Sequence, residues 1–314
     1  MRYKGLGALV ASVIVVGLLP GVALAAQAGA TTGAAANVTY SSVRLNGAVD
    51  PNSTPTTYYF QYGRTIALGA QTVSTSAGQG KKAVHVSTDV GALEPAKRYF
   101  YRIVAQNRSG TTLGKHRSFT THKQPLGVSL AASPNPIRPG AGTALSGTLT
   151  GTGNGGRKIV LQSNPWPYTQ GFQNASNEQL TNAQGGFSFA VLSVPFNTQY
   201  RVQMPERPAV VSPIVTEGVL FVVHTHVSRH CVKRGHRVRF SGSVSPARPG
   251  AQIAFQKLKR GIWVTVGGTL VRSSVRYSKR VKIRRGGGYR VWTGVADGQY
   301  TSNNGRTIRL RSFR

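Results

Sequence analysis

Hydrophobic and polar side chains alternate along much of the chain, and this two-residue period is typical of β-strands with one buried face. The clearest example is the run 275–285. Successive strand side chains point to opposite faces, so one face receives Val275, Tyr277, Val281 and Ile283 and the other Arg276, Arg280, Lys282 and Arg284. Lys279 breaks the alternation, so either the predicted register is wrong at this residue or a β-bulge lies there. The run predicts a strand with a cationic outer face.

The same period recurs elsewhere in the chain. Arg237 and Arg239 alternate with Val238 and Phe240, and residues 58–62 form a β-prone aromatic run. No segment after residue 25 has a convincing helical period, and the 38 glycines and 16 prolines punctuate the runs as turn residues. A chain of 314 residues is long enough for two or three β domains of about 100 residues each.

The most specific pattern of the first third lies in residues 93–107. Tyr99, Tyr101 and Ile103 share one face of a predicted strand. Leu93, six residues before Tyr99, fits the corner at which a buried tyrosine hydroxyl bonds to the backbone just upstream.

This pattern, together with the strand at 58–63 and the closing segment 117–121, resembles a fibronectin type III domain of the kind common in bacterial secreted proteins. The resemblance covers roughly residues 34–121 and implies a β-sandwich. Leu45 stands where many such domains carry a tryptophan. The chain has no Arg-Gly-Asp tripeptide, so integrin binding is not implied.

Two related segments follow a short linker around Pro125. The first contains Gly140, Ser146-Gly147, Ile159 to Gln162, Phe187-Ser188 and Tyr200 to Val202; the second contains Gly235, Ser241-Gly242, Ile253 to Gln256, Tyr277-Ser278 and Tyr289 to Val291. A repeat of this length suits two copies of one sandwich domain. Both copies resemble immunoglobulin-like modules of bacterial surface proteins, without the Cys and Trp signature of antibody domains.

Residues 1–25 have the pattern of a secretory signal peptide, with two early basic residues, an apolar stretch and Ala23-Leu24-Ala25 as cleavage site. Residues 26–36 are small and predict a flexible lead. The predicted architecture is all-β: three tandem β-sandwich domains after the signal peptide. Their predicted ranges are 26–122 (fibronectin type III-like), 125–217 (immunoglobulin-like) and 218–314 (strongly basic, immunoglobulin-like).

Positive charge is concentrated in the last of these domains. The chain has 39 Lys and Arg residues against 7 Asp and Glu, and residues 218–314 hold 21 of the basic residues with one acid, Asp297. Such an excess favours adhesion to anionic partners. The alternating charges predict an anionic-polymer-binding surface formed by Arg237, Arg239, Arg276, Arg280, Lys282 and Arg284. In immunoglobulin-type strand order the two strands that carry them are neighbours.

Catalytic chemistry finds little support in the sequence. The seven carboxylates are scattered over the three predicted domains, whereas a glycosidase needs two of them about 5 to 10 Å apart. Neither a G-x-S-x-G elbow nor a phosphate-binding P-loop occurs. The sequence predicts no enzyme and no cofactor. Without a recognition helix, specific nucleic-acid binding is not expected.

Three smaller features also carry candidate chemistry. His224 and His226 would point the same way on a strand near Cys231, which is a weak candidate metal site. Cys231, the single cysteine, is expected to be a small buried hydrophobe, with an intermolecular disulfide left open.

In the middle domain Trp166, Tyr168 and Phe172 form an aromatic loop that is a candidate for carbohydrate stacking or for capping the core.

The favoured function is an exported, non-catalytic structural or adhesive protein, secreted or associated with the cell surface. Its basic sheet face would bind an anionic cell-wall polymer or a membrane surface. The alternative is a carbohydrate-binding module, or an accessory to a separate enzyme, that binds polysaccharide through the aromatic loop.

Overall fold

The computed structural model describes residues 26–273 and 275–314, and every regular element in these ranges is a β-strand. The predicted all-β sandwich fold is therefore confirmed. The chain forms two compact units, of which the first ends at Lys123 and the second spans Gln124–Arg314. The predicted signal peptide, residues 1–25, lies outside the described ranges. None of the described segments forms a helix that could span a membrane.

The first unit is one β-sandwich, called the first sandwich. Its strands are β1 (Gly29–Thr32), β2 (Val43–Asp50), β3 (Thr56–Gly63), β4 (Ala70–Gln71), β5 (Thr75–Gly78), β6 (Val84–Val90), β7 (Arg98–Asn107), β8 (Gly110–Leu113) and β9 (Arg117–Thr120). One sheet has the order β1-β2-β6. The other has the order β4-β3-β7-β8, with β5 on β3 and β9 on β7.

The predicted tyrosine corner is present in the first sandwich. The Tyr99 hydroxyl accepts a hydrogen bond of 3.0 Å from the backbone N–H of Glu94, and the Tyr99 side chain is buried. Tyr101 and Ile103 are buried on the same face, as predicted, and Leu45 lies fully buried in the same core.

Replacing Tyr99 with phenylalanine is expected to lower the free energy of unfolding by about 1 kcal/mol, because it removes the hydroxyl that Glu94 N–H needs. Chemical denaturation of residues 26–123, which form a compact unit, would measure it. Tyr40→Phe is the control, since Tyr40 is exposed and should tolerate the change. Equal stability of the Tyr99 variant would show that water replaces the corner bond.

The prediction of a flexible lead at residues 26–36 is wrong. Residues 29–32 form β1, which pairs antiparallel with β2 from Gly29 opposite Asp50 to Thr32 opposite Gly47. The small side chains allow a close approach to the core, and the Thr32 hydroxyl accepts a hydrogen bond from the Ile103 N–H. Composition alone indicated flexibility. It could not show the pairing, because the partner strand lies more than ten residues further along the chain.

The second unit contains two further sandwiches. The strands of the middle sandwich are β10 (Gly127–Val128), β11 (Ala131–Ser133), β12 (Thr143–Thr150), β13 (Lys158–Pro165), β14 (Gln173–Asn174), β15 (Gln179–Leu180), β16 (Gly186–Val191), β17 (Thr198–Met204), β18 (Arg207–Val211) and β19 (Val215–Glu217). One sheet is β10-β12-β11 with β16 on β12. The other is β14-β13-β17-β18 with β15 on β13 and β19 on β17.

The C-terminal sandwich repeats this plan. Its strands are β20 (Val222–Val227), β21 (Cys231–Lys233), β22 (Arg237–Ser245), β23 (Gln252–Lys259), β24 (Ile262–Leu270), β25 (Arg276–Lys282), β26 (Gly287–Gly294), β27 (Asn303–Asn304) and β28 (Ile308–Phe313). One sheet is β20-β22-β25 and the other is β21-β28-β26-β23-β24 with β27 on β26. The predicted domain boundary near residue 218 stays a prediction.

The repeated Ser-Gly pairs occupy equivalent places in these two sandwiches. Gly147 lies opposite Phe187 on the neighbouring strand, and Gly242 lies opposite Tyr277. A Cβ atom on Gly242 would overlap the carbonyl oxygen of His224. The glycine thus leaves room for the Tyr277 hydroxyl, which donates to the His224 carbonyl at 3.0 Å.

A polar junction joins the two sandwiches of the second unit. The nearly buried Asn197 side chain donates to the carbonyl of Gly298 at 2.8 Å and accepts from the N–H of Val219 at 2.7 Å. Ile137, Val194 and Val219 form a small apolar cluster beside it. The side-chain amide of the middle sandwich therefore bonds to backbone groups that lie beyond that sandwich's last strand.

Candidate functional site

The outward side chains of β22 and β25 form the cationic surface predicted from the sequence. The two strands are antiparallel neighbours, with Arg237 opposite Lys282 and Arg239 opposite Arg280. Arg276 extends the same row, and Arg284 follows the end of β25. All six side chains are exposed, and together they are called the basic face: Arg237, Arg239, Arg276, Arg280, Lys282 and Arg284.

The inward side of β25 follows the predicted pattern at Tyr277 and Val281, which are buried, as is Ile283 just beyond it. Of the two alternatives at Lys279, neither a bulge nor a different register occurs, because the pairing of β22 with β25 runs without a shift. Lys279 lies opposite Phe240 and is nevertheless exposed. β25 is an edge strand of its sheet, so a long side chain can extend past the rim into water.

The outward residues that face each other across the equivalent strand pair differ in charge among the three sandwiches. In the first sandwich Arg44 on β2 lies opposite Asp89 on β6, and two 2.8 Å hydrogen bonds join them. That ion pair lowers the pKa of Asp89, chiefly through the hydrogen bond from Arg44. In the middle sandwich Ala144 and Ser146 lie opposite Ala190 and Ser188.

Only in the C-terminal sandwich do like charges face each other across this strand pair. Like charges directly opposite on a sheet are destabilising. Among the described residues the basic face makes no ion pair, and the ion pair of this sandwich joins Arg248 to Asp297 elsewhere. The opposed cationic pairs of the basic face are therefore less favourable for the strand pair than the ion pair of the first sandwich.

The two histidines lie at the edge of the same outer surface. His224 lies opposite Ser243 and His226 opposite Ser241, and both line a depression of about 770 Å³ that also includes Arg276. Within residues 26–273 and 275–314, no three His, Cys, Asp or Glu side chains are grouped closely enough to hold a metal ion. Cys231 belongs to the opposite sheet, so it does not join the histidines.

The prediction that Cys231 is buried is wrong. Its thiol is exposed, because Val232 takes the inward position of β21 while Cys231 and Lys233 face outward. β21 pairs parallel with β28, which places Cys231 opposite Arg311. The short strand gave too little alternation to assign its inward residue from sequence.

The three aromatics of the middle-sandwich loop lie in different surroundings. The Trp166 indole N–H donates to the carbonyl of Asp297 at 2.9 Å, across the polar junction. The guanidinium carbon of Arg201 lies 4.3 Å from the centre of the Phe172 ring. Burial raises the pKa of Tyr168. Trp166 therefore contributes to the contact between sandwiches, and carbohydrate binding by the loop stays a prediction.

Sequence reasoning overlooked Lys257. This residue shares the inward face of β23 with Ile253 and Phe255, and only 8% of its surface is exposed. Its ammonium donates to the carbonyl of Arg285 at 2.6 Å. Burial lowers the pKa of Lys257, and the neighbouring Lys259 and Arg285 lower it further. The available signal was a lysine in the apolar register of an alternating strand.

No family model matches the chain, and no curated protein matches it. Similar solved structures include titin domains (13% identity, 91% of this chain and all of that one, TM-score 0.37). A tetra-tandem repeat of a large adhesion protein is 14% identical over 90% of this chain and 74% of that one, with TM-score 0.33. The FN1–FN3 domains of chicken CNTN1 are 16% identical over 90% and 100%, with TM-score 0.28. At these values no function transfers to the chain.

Proposed function

We propose that this chain is an exported, non-catalytic structural or adhesive protein that binds anionic cell-envelope polymers through the basic face. The supporting observation is the register of β22 and β25, which sets Arg237 opposite Lys282 and Arg239 opposite Arg280. Four cationic groups lie within two neighbouring cross-strand positions of the face. Neighbouring strands are about 4.8 Å apart, so one extended polyanion can contact both rows at once.

The charge arrangement argues for a polymer ligand over random solvation. A sheet selected only for stability would place opposite charges across this pair, as the first sandwich does with Arg44 and Asp89. In the C-terminal sandwich, residues of the same charge lie opposite each other along this strand pair and repel. An exported location, which the predicted signal peptide supports, would bring this face into contact with envelope polymers and not with cellular nucleic acid.

The binding test compares two variants of residues 26–314 that lose the same charge from opposite sheets. The first changes Arg237, Arg239, Arg280 and Lys282 to Gln. The second changes the exposed Lys233, Arg234, Arg309 and Arg311 to Gln. Retention on purified cell walls is expected to fall at least tenfold for the first variant and less than threefold for the second.

Salt gives the second arm of the same test. The Debye length shrinks from ~10 Å at 0.1 M to ~3 Å at 1 M salt, so retention of the unmodified chain is expected to collapse between these concentrations. Equal losses for the two variants would refute a localised binding face. Salt-insensitive retention would instead support the carbohydrate-binding alternative.

A further inference from the structure

A second cluster of positive charge surrounds a cavity at one end of the C-terminal sandwich. The cavity has a volume of about 640 Å³ and is flanked by Leu258, Val266, Gly286 and Tyr289. Six basic residues line it: Lys257, Lys259, Arg260, Lys282, Arg284 and Arg285. They come from β23, from the β23–β24 turn, from β25 and from the segment that follows it. The sequence separates these residues by up to 28 positions, and the fold brings them around one space.

Lys257 distinguishes this cavity from an ordinary solvated basic surface. Its side chain is more than nine-tenths buried, and its ammonium lies 5.4 Å from the centre of the Tyr289 ring. Of the three protons of that ammonium, one is donated to the carbonyl of Arg285, which also accepts the hydroxyl of Tyr289 at 2.8 Å. A buried ammonium without a carboxylate partner is costly unless another anion compensates it.

Among the described residues, no side-chain carboxylate fills that role. Asp297 is the one acid of residues 218–314, and it is held by Arg248. No acidic side chain lines the cavity. No acidic side chain of the described residues therefore compensates the Lys257 ammonium at this cavity, and an anion from solution can take that role.

We infer that this cavity binds a phosphate group, with Lys257 at its base and the surrounding guanidinium and ammonium groups at its rim. Phosphate carries more charge and more acceptor oxygens than a carboxylate, so it can engage several of these donors at once. Guanidinium groups bind phosphate oxygens through paired hydrogen bonds, and Arg260, Arg284 and Arg285 supply three of them.

The inference deepens the proposed function, on which it rests for the source of the phosphate. Lys282 and Arg284 belong both to the basic face and to the cavity rim, so the two sites are continuous. A phosphate of an anionic polymer lying along β22 and β25 would enter the cavity where β25 ends. This selects phosphate-bearing polymers over polymers whose only charges are carboxylates.

The direct test is calorimetric titration of residues 26–314 with inorganic pyrophosphate at about 0.15 M salt. We expect saturable binding of one anion per chain. Lys257→Met should weaken it at least tenfold, while Lys279→Met, which removes the same charge from an exposed position outside the cavity, should change it less than twofold. Arg284→Gln, at an exposed rim position, should weaken it at least threefold.

Stability separates loss of binding from loss of folding. Methionine fills a similar volume without a buried charge, and the Tyr289 hydroxyl still bonds to the Arg285 carbonyl. The Lys257→Met chain is therefore expected to unfold at a temperature equal to or higher than the unmodified chain. At the same concentration, pyrophosphate should raise the unfolding temperature of the unmodified chain more than that of the variant. Equal pyrophosphate affinity of both chains, or binding that never saturates, would overturn the inference.

Two further titrations identify the source of the phosphate. Soluble polyphosphate and phosphatidylglycerol vesicles are each titrated into the unmodified and Lys257→Met chains. The ligand that the Lys257→Met chain binds more weakly than the unmodified chain is the source of the phosphate. We expect this ligand to be polyphosphate. A fall in neither overturns the inference. If the chain is retained on cell walls but does not bind pyrophosphate, the cavity proposal fails and the proposed function of the basic face stands. If it binds pyrophosphate but is not retained on cell walls, the proposed function fails and the cavity proposal stands.

Discussion

Gly242→Ala is expected to destabilise the C-terminal sandwich by about 3 kcal/mol, at the upper end of the range for overpacking a core. A Cβ atom at this position would overlap the His224 carbonyl oxygen and lie 2.7 Å from the Tyr277 hydroxyl. Neither contact can be relieved by rotating a flexible side chain alone. The carbonyl belongs to the backbone of β20, and the hydroxyl is held by bonds to the His224 carbonyl and to Thr225.

Denaturant unfolding followed by tryptophan fluorescence would measure the change, because Trp263 and Trp292, two of the three tryptophans, lie in the C-terminal sandwich. Gly267→Ala is the matched control. Gly267 is a strand glycine of the same sandwich whose Cβ would meet Phe255 only at 4.0 Å, so its effect should stay within about 0.5 kcal/mol. Similar behaviour of the two variants would show that β20 shifts away from β22 without cost.

Glu217→Gln is expected to stabilise the middle sandwich at neutral pH by about 1 to 3 kcal/mol. The Glu217 side chain has no exposed surface, and neither carboxylate oxygen has a hydrogen-bond partner among the described residues. Thr143 is its polar neighbour, but the Thr143 hydroxyl donates to the Pro134 carbonyl. Burial raises the pKa of Glu217 above its ordinary value of 4.5, and Thr143 opposes that rise only in part. Burial, with the nearby charge of Glu217, raises the pKa of Tyr200 to about 12.

The stability difference between the Glu217→Gln chain and the unmodified chain is expected to depend on pH. Well below pH 4.5 the carboxyl is protonated in both states, so the variant and the unmodified chain should be nearly equally stable. As the pH rises, the unfolded state ionises first, and the unmodified chain loses stability until the folded carboxyl also ionises. The difference between the chains should therefore grow with pH and then level off.

Urea unfolding from pH 3 to pH 8 would trace this difference. Glu206→Gln is the control, because Glu206 is exposed and lies 3.9 Å from Arg157, a surface pair worth at most about 1 kcal/mol. A constant difference between the Glu217 variant and the unmodified chain at every pH would contradict a buried, poorly compensated carboxylate.

Local patterns predicted what depends on neighbours in sequence. The tyrosine corner at Tyr99 spans six residues and follows from strand alternation together with the turn before it, so it could be recognised in advance. The repeated Ser-Gly pairs at 146–147 and 241–242 were also visible in the sequence. Their purpose was not, because the aromatic side chain that needs the space comes from a strand about 35 to 40 residues later.

Errors arose where the deciding contact is remote. Residues 29–32 form an edge strand only because β2 offers free hydrogen-bonding groups. Cys231 faces water because β28, far along the chain, fixes the direction of β21. Lys257 shows the opposite case, since its place in the row Ile253, Phe255, Lys257 was available from alternation. Its contacts with Arg285 and Tyr289 depend on the tertiary structure and could not be predicted from alternation.

An all-β chain with a strongly basic last third could be predicted from the sequence alone, because side-chain direction along a strand and net charge are local properties. Tertiary structure decided which charges meet: Arg237 with Lys282 and Arg239 with Arg280 across two strands, and Lys257 with five other basic residues around one cavity. The physical reason is that strand pairing and register are set by contacts between distant segments, and a one-residue change of register would send every side chain to the other face.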